Sequence, residues 1–217
     1  MKFEFIYDPV PLIIIRDLFT KKESEEILAE AIKNKNNFKP SQITKSGMPL
    51  ETNLKFRSNT VAYYDVLYES DRSKCKLLTL IDKNFNNRTF RDVLESSQYP
   101  INLFSMTNSH ETQVSRYGDQ GQRYNYHIDS EGVRLITLVY YFNKDPKKYK
   151  GGEIQFTRSP ISAGNILDKN AIPITITPEN NMMVIFDSRI AHTVLPTTSP
   201  KNFDGGRFSA NVWLGRK

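Results

Sequence analysis

The stretch Y-N-Y-H-I-D-S, residues 124–130, sets an imidazole two positions ahead of a carboxylate. In an extended chain residues i and i+2 face the same side, so His127 and Asp129 can reach one ion from one strand. A stable site needs a third ligand. The chain has 3 histidines, and the other two are His110 and His192. His192 has the better context. It follows M-M-V-I-F-D-S-R-I-A, a buried strand and turn, which in a β-domain sets it at a strand edge facing back across the sheet. His110 is read as a surface residue. Two imidazoles and one carboxylate are the donor set that holds Fe(II) on one face and leaves three positions open. A surface turn that happens to carry a His and an Asp is the other reading of the H-x-D pair.

Iron with open positions needs an electron source to activate oxygen. A bidentate 2-oxo acid would fill two positions, and its far carboxylate calls for a guanidinium fork. In G-G-R-F-S-A-N-V-W, residues 205–213, Arg207 and Ser209 share one strand face. Phe208, Ala210 and Val212 share the opposite, core-like face. A charge on an inward face is costly without a partner, and a bound dicarboxylate would be that partner. A surface Arg on an edge strand is the alternative.

These residues need elements to hold them. Leu12–Ile15 reads as a strand. T-K-K-E at 20–23 is a capping box opening a helix with Ile27, Leu28, Ala31 and Ile32 on one face. A second helix is expected over 73–85 with a Leu77, Leu78, Ile81 stripe, and a shorter one after Thr89 as N-cap. From residue 111 strands take over: 113–117, 133–142, E-I-Q-F-T after the turn at Gly151-Gly152, 172–177, 182–187 and 207–214. Helices first and many short strands afterwards predict an α+β, mainly β architecture, with the helices packed on one sheet of a sandwich or barrel. The 217 residues suit a single domain, with 1–110 as an N-terminal strand and helix support region and 111–217 as the β-core.

The motifs resemble those of the iron- and 2-oxoglutarate-dependent dioxygenases, and within them the prolyl 4-hydroxylase-like branch. The resemblance is carried by V-S-R-Y-G-D, Y-N-Y-H-I-D, R-L-I-T-L-V-Y-Y-F-N-K-D, G-G-E-I-Q-F, I-A-H-T-V-L-P and G-G-R-F-S-A-N-V-W. It covers residues 113–215 well, 10–35 loosely, and 36–110 only in F-R-S-N-T-V-A-Y. It implies a double-stranded β-helix, or jelly roll. It implies Fe(II) on His127, Asp129 and His192, with Arg207 on the distal carboxylate of 2-oxoglutarate. Tyr141 and Tyr117 match tyrosines of the cosubstrate pocket. Thr137 shares a strand face with Tyr141 and is expected to line the same pocket, as is Ser209 beside Arg207. O2 is the second cosubstrate, and ascorbate a candidate reductant. Related halogenases lack the carboxylate ligand; Asp129 is present, which favours hydroxylation.

The resemblance implies a proline-containing peptide or protein as substrate, with succinate and CO2 as coproducts. The alternatives are an enzyme acting on a free amino acid or other small molecule, and a non-catalytic jelly-roll binding protein. Tyr124, Tyr126 and Arg134 flank the metal segment and are candidate substrate contacts. A peptide substrate calls for an open groove roofed by a mobile loop, and the polar 36–60 segment, with S-G-M-P at 46–49, is the candidate. A small molecule calls for a closed pocket.

Composition narrows the rest. The net charge of +6 is mild and its lysines are scattered; the densest run, 144–150, reads as a solvated loop. No nucleic-acid motif stands out. No apolar run is long enough to span a bilayer, and no basic flank or cleavage site marks a signal peptide, so a cytoplasmic location and no membrane partner are expected. The single cysteine, Cys75, excludes an internal disulfide and is expected as a small buried apolar residue.

Overall fold

The computed structural model describes residues 1–43, 51–118, 121–130 and 132–216. Strands β1 (Lys2–Ile6) and β2 (Leu12–Arg16) lead into helix α1 (Lys21–Lys33). The short β3 (Lys39–Pro40) and β4 (Thr60–Tyr63) precede helices α2 (Tyr64–Leu67), α3 (Lys76–Phe85) and α4 (Arg88–Glu95). Then come β5 (Ser109–Tyr117), β6 (Gln122–His127), β7 (Arg134–Phe142), β8 (Lys150–Gly151) and β9 (Ile154–Thr157). A small hairpin, β10 (Ile161–Ser162) and β11 (Asn165–Ile166), is followed by β12 (Ile174–Ile176), β13 (Met182–Asp187), β14 (Ala191–Thr198) and β15 (Arg207–Gly215).

The strands form a jelly roll of two facing sheets. The major sheet has the order β1-β2-β13-β7-β15-β5-β4-β3, and the minor sheet β12-β9-β14-β6, with β8 also paired to β14. Strands from both ends of the chain thus share one sheet: β2 pairs β13, and β4 pairs β5.

Alternation along these strands divides the apolar residues between two cores. Ile13, Ile15, Leu138, Tyr140, Met183, Ile185, Phe208, Ala210 and Val212 face the helices and pack with Ile27, Ala31, Leu77, Leu78 and Ile81. Leu12, Ile14, Val139, Tyr141, Met182, Val184 and Phe186 face the other way, against Ile154, Phe156 and Ile176 of the minor sheet. The helices cover one sheet, as the sequence predicts.

Local signals hold with some shifts. The capping box at Thr20 and Glu23 is formed in both directions. The short helix is capped by Asn87, whose side chain accepts from the Phe90 amide; Thr89 sits inside its first turn. An Asn at N-cap serves as well as Thr, so the helix starts at the earlier of the two. His110, expected at the surface, is tied to the helices that cover the sheet. It is half-buried, 2.8 Å from Arg72 and 3.3 Å from Asp82, edge-on to Phe85, and its burial lowers its pKa. The 144–150 run is an exposed loop apart from Tyr149, which is buried.

Cys75 is fully buried, and its sulfur caps α3 by accepting from the Leu78 amide. Burial, reinforced by the nearby Glu30 carboxylate, pushes its thiol up. Glu30 reaches across from α1 and accepts from the Lys76 amide at 3.2 Å and the Leu77 amide at 3.3 Å. It also accepts from the Tyr68 hydroxyl. A carboxylate on free amides at a helix start complements the helix dipole. Glu30→Ala is expected to destabilise the protein by about 1–2 kcal/mol and to lower Tm by a few degrees. Thermal unfolding followed by circular dichroism checks this; an unchanged Tm would mean that water replaces the carboxylate without loss.

Candidate active site

The cavity lies between the two sheets, on the face of the major sheet away from the helices. It encloses about 650 Å³. Of the residues singled out in the sequence, His127, Asp129, His192, Arg207, Tyr117, Tyr141, Ser209, Tyr124, Tyr126 and Arg134 all line it; Thr137 does not.

His127 ends β6 and His192 is the second residue of β14, and the two stand opposite each other in the antiparallel register. Asp129 lies just past β6, where its amide donates to the Ser188 carbonyl at 2.8 Å. Asp129 Oδ1 is 3.7 Å from His127 Nε2, and Oδ2 is 3.5 Å from His192 Nε2. Ligand atoms of all three lie within 4.8 Å of one another. Each imidazole sets its Nδ1 against a backbone carbonyl, His127 on Asn125 at 2.8 Å and His192 on Ile190 at 2.9 Å. An Nδ1–H donated there leaves the Nε2 lone pairs free for a cation. Burial, with the neighbouring His192, holds His127 well below the ordinary histidine value, so its ring is neutral at pH 7. Burial opposes the charge on Asp129, but His192, His127 and the hydroxyl of Thr137 outweigh it, and its carboxyl sits below the usual range. Two imidazoles, the His127 ring neutral, beside an ionised carboxylate fit a borderline divalent metal.

Thr137 corrects the expectation made for it. Its face is right, but its hydroxyl donates to Asp129 Oδ2 at 3.1 Å and meets the Ser188 hydroxyl at 2.9 Å. It orients the carboxylate and does not line the cavity. Ser188, absent from the sequence reading, holds Asp129 at both backbone and side chain through this network. Its only sequence signal is its place in the D-S-R turn ahead of His192.

Arg207 is 1% exposed, on a strand flanked by β5 and β7, so the edge-strand alternative fails. Its Nε donates to the Gly152 carbonyl at 2.8 Å. Its guanidinium lies 4.9 Å from the ring of Tyr117 and 5.0 Å from that of Tyr141. Arg207 Nη1, the Tyr141 hydroxyl and Thr197 Oγ1 are buried and make no hydrogen bond. Orphaned donors around a buried cation fit a carboxylate ligand. The second glycine of the Gly-Gly turn has its reason here. Gly152 has φ +73, and a Cβ on it would come within 2.5 Å of Arg207 Cδ and 2.9 Å of Thr197 Oγ1.

Tyr124 stacks on His127, centroids 3.4 Å apart at 13°. Tyr126 donates to Gln155 Oε1 at 3.2 Å. Arg134 pairs with Glu111 at 2.6 Å and lies 4.2 Å over the ring of Trp213. The 36–60 segment, expected as a mobile lid, is in its described parts a wall. β3 joins the major sheet, and Arg57 bridges to Tyr124 across the free edge of β6. The S-G-M-P stretch at 46–49 lies outside the described residues.

Comparison with known proteins agrees with this geometry. Residues 112–215 match the model of the 2OG-Fe(II) oxygenase superfamily. An uncharacterised PKHD-type hydroxylase from Synechocystis is 28% identical over 99% of this chain. The chain spans 66% of that relative's length. Among solved structures, a Pseudomonas putida prolyl-4-hydroxylase superposes with a TM-score of 0.64 at 17% identity, covering 96% of this chain and 94% of the other. A Trichoplax adhaerens prolyl hydroxylase, in complex with a hypoxia inducible factor peptide, gives 0.64 at 19%, covering 94% and 83%. Residues 112–215 thus resemble the 2OG-Fe(II) oxygenases, and the chain has the fold of the prolyl-4-hydroxylases.

Two expectations follow. Gly152→Ala should displace the Arg207 side chain and weaken 2-oxoglutarate binding by about tenfold or more, as loss of a charge-assisted hydrogen bond would. Calorimetric titration on the metal-loaded protein checks it, and unchanged affinity would show that Arg207 yields without cost. Thr137→Val should weaken Fe(II) binding by about 10–100-fold, the usual effect of removing a group that orients a metal ligand; anoxic competition with a chelator reads it.

Proposed function

We propose that the chain hydroxylates a prolyl residue in a peptide or protein, with Fe(II) on His127, Asp129 and His192. 2-Oxoglutarate is assigned to Arg207, Tyr141, Tyr117 and Ser209. The observation that carries the reading is the buried Arg207 with an uncommitted Nη1, facing the same cavity as a His–Asp–His cluster. When bound, iron, 2-oxoglutarate and O2 supply the oxidant that replaces a substrate C–H hydrogen with hydroxyl, yielding succinate and CO2. The chain itself does the binding and orienting. Arg207 and the Tyr141 hydroxyl receive the distal carboxylate at the bottom of the cavity. The two imidazoles and Asp129 hold their lone pairs toward one point. Apolar walls, among them Val139 and Ile154, keep water from the reacting carbon.

Peptide specificity is supported by the fold shared with prolyl hydroxylases, one of them in complex with a peptide. A free amino acid or other small molecule is the second reading, favoured by a cavity of about 650 Å³, within the ordinary range for small-molecule sites. Ascorbate as reductant and a cytoplasmic location belong to the same proposal.

Anoxic addition of Fe(II) and 2-oxoglutarate to the apoprotein should give the weak visible metal-to-ligand charge-transfer band. Asp129→Ala should abolish it and Arg207→Ala weaken it. With O2 admitted, proline-containing peptides should raise succinate release. Metal binding without the band in the wild type would refute the oxygenase assignment and leave a jelly-roll binding protein. A band with no peptide stimulation would move the substrate to the small-molecule class.

A further inference from the structure

Arg57 belongs to the wall of the same cavity, and its surroundings are unusual for a buried cation. The residue is 7% exposed. Nε donates to Asn59 Oδ1 at 3.0 Å and Nη2 to Gln113 Oε1 at 2.7 Å. The remaining contact, from Nη1 to the Gln42 carbonyl, is long at 3.5 Å. All three acceptors are neutral, and no carboxylate among the described residues pairs with it. Its guanidinium lies 4.5 Å over the ring of Tyr124, which stacks at 3.4 Å on His127. A full positive charge is therefore held one ring away from the metal-ligand cluster. Arginine stays protonated in proteins, so this charge cannot be relieved by losing a proton.

The charges of the cavity show what is missing. Arg134 is paired with Glu111. On the reading above, the positive charges of Fe(II) and Arg207 balance the negative charges of Asp129 and 2-oxoglutarate. Arg57 remains as the cation without a counter-charge, and leaving a buried cation so is unfavourable. Its two amide partners fix the guanidinium from Nε and Nη2 and leave Nη1 the least committed.

We propose that Arg57 receives a carboxylate of the substrate, and that the enzyme selects substrates bearing one near the carbon to be hydroxylated. This rests on the oxygenase reading and narrows it. Two sources carry that chemistry: the α-carboxylate of a free amino acid or chain terminus, and an acidic side chain beside the target residue in a peptide.

The test is a panel of matched pairs: L-proline and L-prolinamide, N-acetyl-L-proline and its amide, and proline-containing peptides with a flanking Glu or Gln. Each is titrated into anoxic protein loaded with Fe(II) and 2-oxoglutarate, following the fluorescence of Trp213, the single tryptophan of the chain, which lines the cavity. At least one carboxylate member should bind about tenfold or more tightly than its amide. The pair that shows the preference tells a free carboxylate from a side chain. Arg57→Gln should erase the preference. Gln113→Glu, which places a counter-charge against Nη2, should erase it too, and Arg57→Lys should retain part of it. Melting curves establish that each variant is folded. If no carboxylate binds better than its amide, or if the preference survives in both Arg57→Gln and Gln113→Glu, the assignment is overturned. The charge-transfer band, recorded on the same samples, reports separately on the oxygenase reading: a band without a carboxylate preference sinks the Arg57 assignment alone.

Discussion

The parity of the major sheet is the constraint on which everything else depends. β15 runs between β5 and β7, and its residues alternate between two environments that cannot be exchanged. Phe208, Ala210, Val212 and Leu214 enter the core beneath the helices, while Arg207, Ser209, Asn211 and Trp213 line the cavity. A slip of one residue would bury Arg207 under α1 and α3 and put Phe208 in the cavity. The same registration aligns Arg207 with Tyr117, Ser209 with Tyr141, and Trp213 with Thr137. The apolar pattern that packs the helices therefore also builds the site.

Attraction alone does not account for the convergence of the three ligands. His127 is neutral, and a neutral imidazole gains little from a carboxylate 3.7 Å away. Two Nε2 atoms and an ionised oxygen converge because the scaffold places them. The backbone carbonyls of Asn125 and Ile190 fix the rings, and Ser188 with Thr137 fixes Asp129. Tyr124 adds a flat surface against His127. Such preorganisation favours a cation at their convergence, since binding then needs no rearrangement.

Much of this was legible in the chain because alternation is a strong signal. The faces of Arg207 and Ser209 followed from period two alone, and the His-x-Asp pair needed only an extended segment. What failed depended on partners that periodicity does not reveal. Thr137 was put on the right face but given the wrong neighbour, because Asp129 folds back past the end of β6 and claims its hydroxyl. The sequence sets His110 at the surface, and it does not show that Arg72, Asp82 and Phe85, over 20 residues away, reach it. Gly152 read as a turn, while its lack of a side chain also makes room for Arg207. Arg57 lies in F-R-S-N-T-V-A-Y, the part of 36–110 that the resemblance reaches, but no periodicity there shows which way its side chain faces.

The placement of Arg57 separates two kinds of information in the fold. The chemistry-bearing residues stand on long strands or at their ends, where register fixes position to a fraction of an ångström. Arg57 comes from an irregular segment that borders the cavity from outside both sheets and meets β6 through the Arg57–Tyr124 bridge, neighbouring amides, the Phe56–Tyr124 ring contact and the Ser58 hydroxyl. The β10–β11 hairpin borders it in the same way, through the bond from the Tyr126 amide to the Gly164 carbonyl. Such segments can change sequence without disturbing sheet parity, because none of their residues alternates between the two cores. A jelly roll can thus keep one reaction on its inner faces and change substrates through the segments laid against β6. Among the described residues of those segments that line the cavity, Arg57 carries the one full charge.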